Sequence, residues 1–130
     1  MMKPLPSFSA PFACGDIVVV PFPFSDRLAE KCSPALVVSD ARLAKVGLVW
    51  LVMITSAQHS ASSYDCAIAD LPRAGLRAAS LVRPTKIAAV EPVRILRRAG
   101  QLGAAKANRV VQILRQFVGP ELPIRQGTGP

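Results

Sequence analysis

The chain has 130 residues, 51% of them apolar and only 18% charged, which suffices for one hydrophobic core and leaves no length for a second. Its formal net charge of +8 is unevenly placed, with five basic and six acidic side chains over residues 1–70 but eleven and two over residues 71–130, so part of the surface is expected to face a polyanion or an acidic partner. Three cysteines (Cys14, Cys32, Cys66) without a CxxC pair exclude a disulfide framework and a zinc knuckle, and the apolar run 46–54 is far short of the roughly 20 residues that span a bilayer; a soluble cytoplasmic protein away from membranes is expected.

Residues 1–13, with three prolines, read as a flexible lead-in. Gly15-Asp16 is a turn signal before a β-branched run at 17–20, predicted as a strand that Pro21 and Pro23 stop. The polar stretch 22–33 is an exposed loop, long enough to be functional. A second strand opens at Pro34 and runs to Ser39, and 40–45 is a short polar connection. Residues 47–54 carry the longest bulky apolar run and predict a central strand buried on both faces, ending at Thr55 and Ser56.

The serine-rich stretch 58–63 is a loop, the alternating stretch 64–69 a shorter strand, and 71–76 a turn. Residues 79–82 are extended, Pro84 keeps Arg83 out of the helical region, and 86–90 continue the sheet until Glu91-Pro92 interrupts it. A last short strand is expected to begin at Ile95-Leu96. One segment alone reads clearly as a helix: over 104–117, Val110, Ile113, Leu114 and Phe117 fall on one face, and Gly119-Pro120 ends it. The tail 119–130 is rich in Gly and Pro and is expected to be flexible. Many short strands and one C-terminal helix predict a mainly β fold, a strongly curved sheet or small barrel with the helix packed across it.

No dinucleotide-binding, phosphate-loop or zinc-protease motif is present. His59, the only histidine, lies in a serine-rich loop after the central strand, where it can act in acid–base chemistry or simply be surface. Thr55 and Ser56 place hydroxyls at a sheet rim, suited to a phosphate oxygen or to a local cap. Ser80, Arg83 and Lys86 form a compact polar and basic group. Arg73 and Arg77 flank the turn before it, and Arg94, Arg97 and Arg98 follow, an arrangement that suits a phosphate-lined groove.

These residues occur in an order that resembles the MazF/PemK family of toxin–antitoxin endoribonucleases. The resemblance is carried by Gly15-Asp16-Ile17-Val18-Val19-Val20-Pro21-Phe22-Pro23-Phe24-Ser25-Asp26, by Ser33-Pro34-Ala35-Leu36-Val37-Val38-Ser39, by Ile54-Thr55-Ser56, and by Gly75-Leu76 with Ser80-Leu81-Val82-Arg83-Pro84-Thr85-Lys86-Ile87. It implies a toxin domain over 14–118 with an SH3-like barrel of the CcdB/MazF type, usually a homodimer. It also implies cleavage of single-stranded RNA or mRNA by 2′-OH attack, without metal or organic cofactor, and neutralisation by a cognate antitoxin. Operator DNA is a partner only of the toxin–antitoxin complex.

By the same resemblance Thr55 is the catalytic hydroxyl residue, and Ser33 stands where the family carries an arginine before the proline. Serine supplies neither that charge nor its proton-transfer role. Lys31 or Arg27 from the loop, or Arg83 from another strand, are the candidates to replace it, with Ser56, His59, Arg73, Arg77, Ser80, Arg83 and Lys86 as candidate RNA contacts. The departure at Ser33 keeps a second reading open, a weakened or inactive RNA-binding or antitoxin-binding module. A small DNA-associated regulator is a third, although no helix-turn-helix pair is present.

Overall fold

The computed structural model describes residues 11–21, 32–58 and 62–125. The described strands are β1 (Asp16–Pro21), β2 (Cys32–Val37), β3 (Val49–Ser56), β4 (Cys66–Ala67), β5 (Ser80–Val90) and β6 (Arg97–Gln101). They form one antiparallel sheet in the order β4-β5-β3-β2-β1-β6. The β-branched runs of β1 and β3 and the long β5 give it its centre, because such side chains fit a pleated, half-buried surface.

Successive side chains of a strand point to opposite faces, and here both faces are apolar. On one face Ile17, Leu36, Val52, Ile54 and Val82 pack under the helix α3 (Ala104–Phe117), which contributes Ala107, Val110 and Ile113. On the other face Val18, Val20, Ala35, Val37, Leu51 and Val90 form a second cluster with Ile95, against which Phe12 and Met53 pack. The central strand is therefore buried on both sides, as its unbroken apolar run predicts.

The sheet curls into a half-barrel because the chain leaves β4 at one edge and packs the short helix α2 (Leu71–Ala74) against β6 at the other. That packing is backbone to backbone. Gly75 ends α2 with φ +76, and a Cβ there would lie 2.0 Å from the Ala99 carbonyl oxygen; a Cβ on Gly100 would lie 2.3 Å from that of Arg73.

Local structure departs from the sequence expectation in four places. Residues 41–45 of the predicted polar connection form the helix α1 (Ala41–Lys45), because the Asp40 carboxylate accepts the Arg42 backbone N–H at 2.8 Å and caps it. The expected strand over 64–69 shrinks to the two residues of β4. The turn at 71–76 is the helix α2, which Asp70 caps by accepting the Arg73 N–H at 3.1 Å. The last strand starts beyond Ile95-Leu96, after a 3₁₀ turn over Pro92–Arg94; Ile95 instead drops into the second core cluster, and β6 pairs with β1.

Among the described residues no helix is long and apolar enough to cross a membrane.

Candidate functional site

The site is built where β3 reaches the rim of the sheet. Thr55 is half-buried there and lies opposite Leu81 of β5, while Met53, two residues back on the same face, lies opposite Arg83. Arg83 is thus the diagonal neighbour of Thr55, a relation that places Cα atoms about 7–8 Å apart and within reach of a long side chain. On the other side β2 pairs Ala35 with Met53, Leu36 with Val52 and Val37 with Leu51. Continuing that register by two residues sets Ser33 level with Thr55, on the same face. β2, β3 and β5 therefore bring Ser33, Thr55 and Arg83 onto one patch.

Arg83 is not loose on this patch. Register from Cys66–Val82 sets Asp65 across from it, and the Asp65 carboxylate accepts Arg83 Nη2 at 3.0 Å and Nε at 3.2 Å. The Asp65 side chain is 1% exposed and that of Arg83 18%. Burial raises the pKa of the Asp65 carboxyl, but the Arg83 guanidinium and the Ser62 backbone N–H, which donates to it at 3.0 Å, outweigh burial and hold it below the usual aspartate value. The neighbouring Cys66 points the other way, into the core under α3, so Asp65 and Cys66 share no site.

Just before this patch, β5 carries Pro84, Thr85 and Lys86 as extra residues between its Arg83–Met53 and Ile87–Val52 pairings. Proline is tolerated there because a bulged position owes the ladder no N–H. Lys86 is exposed on this bulge, and Arg77 is exposed in the segment leading into β5.

The remaining predicted site residues separate. Ser56 and Ser80 pair with each other on the face opposite Thr55; the Ser80 hydroxyl donates to the Ala78 carbonyl at 2.8 Å, and the Ser56 hydroxyl accepts the Gln58 N–H at 3.3 Å. Arg73 lies on α2, beside β6 and the start of α3, away from Thr55. Lys31, Arg27 and His59 lie outside the described residues. Arg98 serves the fold: it donates to Asp16 at 3.3 Å and lies 4.3 Å from the Phe12 ring centroid. Asp16, 8% exposed, also accepts the Ala13 N–H, so the Gly15-Asp16 motif locks the entry to β1.

The described residues contain no group of three or more His, Cys, Asp and Glu placed to hold a metal ion. Burial, aided by the charges of Asp16 and Asp40, pushes the Cys14 thiol up, which disfavours a reactive thiolate.

The α3 face presents a different surface. A groove of about 490 Å³ runs between the sheet and the end of the helix, lined by Val38, Trp50, Ile87, Leu114, Phe117 and Val118 among others. Trp50 is 46% exposed and Phe117 51%, and Phe117 meets Tyr64 edge-on at 4.8 Å.

Residues 13–118 match the family described as the PemK-like, MazF-like toxin of type II toxin–antitoxin systems. The chain belongs to that family. No curated protein matches the sequence. Among solved structures, MazF from Deinococcus radiodurans is similar with a TM-score of 0.66 at 19% identity, covering 85% of this chain and 98% of its own. A MazE–MazF structure from the same organism gives 0.64 at 17% identity, covering 86% and 98%. An endoribonuclease in complex with its cognate antitoxin from Mycobacterial species gives 0.62 at 18%, covering 83% and 98%.

Within this PemK-like, MazF-like frame, sequence reasoning alone did not find the Asp65–Arg83 pair. The two are separated by loop, helix and turn, and only the β4–β5 register brings them together. The signal available was the scarcity of acidic residues among many cations, which makes each buried carboxylate worth tracing to its partner.

Proposed function

We propose that this PemK-like, MazF-like protein is the toxin of a type II toxin–antitoxin pair, an endoribonuclease that cuts single-stranded RNA, mRNA included, at specific sequences and without a metal ion. The observation that carries the reading is Thr55, half-exposed at the rim of the central strand, on one face with Arg83 and level with Ser33. In this reaction the ribose 2′-oxygen forms a bond to the adjacent phosphorus as the bond from phosphorus to the 5′-oxygen breaks. The 2′-hydroxyl proton leaves to water and the 5′-oxygen takes one up, giving a 2′,3′-cyclic phosphate and a 5′-OH end. The protein's part is to hold the chain in line and to stabilise charge on the non-bridging oxygens. Thr55 supplies a fixed hydroxyl for that work. Arg77 and Lys86, exposed at the same end of β5, supply phosphate contacts that carry affinity without sequence information. Lys31, Arg27 and His59 extend the surface from the loops.

The same reading places the toxin domain at 14–118, closes the curled sheet as an SH3-like barrel, and sets the protein in the cytoplasm as a homodimer with a cognate antitoxin. Meeting of the two sheet edges at α2 supports the barrel. The apolar groove beside α3, with Trp50 and Phe117 half-exposed, supports a protein partner on the face away from Thr55. Operator DNA belongs to the toxin–antitoxin complex; the Ala107, Val110 and Ile113 face of α3 is buried against the sheet.

Purified protein, freed of bound antitoxin, is expected to cut unstructured RNA in EDTA, and the double variant T55A/K31A to leave it intact. Intact RNA at high concentration of the unmodified protein overturns the reading. Ser33 favours a second reading, a non-catalytic RNA-binding or antitoxin-binding module: it predicts salt-sensitive binding with no scission at all.

A further inference from the structure

We propose that Arg83 is the catalytic cation of this protein, in place of the arginine missing at Ser33, and that Asp65 is its positioning residue. The inference rests on the endoribonuclease reading above and assigns the charge within it.

Geometry comes first. Ser33 and Arg83 flank Thr55 on one face, Ser33 level with it on β2 and Arg83 diagonal to it on β5. A cation lost from the β2 side is thus matched by one on the β5 side of the same hydroxyl. The guanidinium is long enough to cross a diagonal of about 7–8 Å, which serine is not.

Energetics come second. A buried ion pair is a poor stabiliser, since the desolvation of two charges offsets most of their attraction and an apolar pair of similar volume would serve as well. Here an aspartate with a side chain 1% exposed is kept beside an arginine 18% exposed, on the face of the sheet that carries Thr55. What such a pair does supply is direction. The carboxylate grips Arg83 through Nε and Nη2. A guanidinium has five N–H donors, so this grip does not exhaust it, and it fixes the plane in which the group meets a phosphate. Preorganised donors of this kind need no rearrangement as charge develops on the phosphoryl oxygens. Arg83 moves no proton in this role; it donates hydrogen bonds to a non-bridging oxygen of the phosphate that the 2′-oxygen attacks.

The test is single-turnover cleavage of an unstructured RNA in EDTA by the full chain, with RNA affinity measured separately. A second RNA carries a stereodefined phosphorothioate at the cleavage position. R83M is expected to slow cleavage about 100-fold or more while affinity changes less than about threefold, because the lost interaction belongs to the transition state. Sulfur substitution is expected to slow the unmodified protein and to make little further difference in R83M. D65N is expected to slow cleavage about tenfold and to weaken the same sulfur effect, which a merely structural carboxylate would not change. Should either single variant unfold, D65L/R83M removes both charges together and is expected to fold and bind RNA yet to cut as slowly as R83M. If the unmodified protein cuts, T55A does not, and folded R83M or D65L/R83M cuts at the unmodified rate, the assignment of Arg83 falls and the endoribonuclease reading stands. If the unmodified protein does not cut, both fall.

Discussion

Ser33 on β2 stands level with Thr55 on β3, on the same face of the sheet, when the printed pairing of Ala35 with Met53 is followed two residues towards the rim. A small neutral hydroxyl residue therefore occupies the position beside Thr55 from which a longer, charged side chain would reach a phosphate held there.

Two outcomes follow for cleavage. T55A is expected to lose about 100-fold or more in rate with the fold intact, since Thr55 is only half-buried at a strand end. S33R is expected to raise the rate about tenfold or more by returning a cation to the β2 side. Single-turnover assays with melting temperatures as a control check both, and an S33R protein no faster than its parent counts against the level placement of the two residues.

The Asp65 carboxylate makes stability depend on acid. Its pKa is lowered in the fold, first against burial and then by Arg83 and Ser62, so it lies below the value of about 3.9 that an unfolded aspartate has. Its contribution is complete above that unfolded value and is lost as pH falls through the folded one. Urea unfolding from about pH 6 down to pH 2 is expected to show this loss in the parent and a flatter acid limb in D65N. At neutral pH, D65A leaves Arg83 without its buried partner and is expected to cost about 3–5 kcal/mol.

Asp40 offers the contrast. It too is held below its usual pKa, by the Arg42 backbone N–H and then the Arg42 side chain, but the pair stands in solvent. R42A is expected to leave the melting temperature within error at physiological salt.

Gly75 and Gly100 hold α2 against β6 at backbone distance. G75A puts a methyl group 2.0 Å from the Ala99 carbonyl oxygen and asks an L-residue to adopt φ +76. It is expected to destabilise by about 3 kcal/mol or more, read as a lowered denaturation midpoint at unchanged slope.

RNA affinity is expected to fall with salt. Each phosphate neutralised on a single strand contributes about 0.7 to the slope of log affinity against log salt, so R77A/K86A should flatten the slope by roughly 1.4 while T55A leaves it unchanged.

Much of this molecule is legible in its residues. The β-branched run of β1, the apolar run of β3 and the spacing of Val110, Ile113 and Leu114 predict those elements because hydrophobic period and backbone preference agree there. The β6 strand was not legible: Arg-Arg-Ala-Gly-Gln has no β-forming signal, and it is a strand because β1 offers an unpaired edge and Asp16 holds Arg98. α1 was missed because a helix of five residues has no periodicity to read, only its Asp40 cap. The position of Thr55 at a strand end was visible in the chain, and so was the loss of an arginine at Ser33. That Asp65 seals Arg83 beside them was not, because a register is a property of strands meeting in space, and local pattern carries no record of which residue faces which.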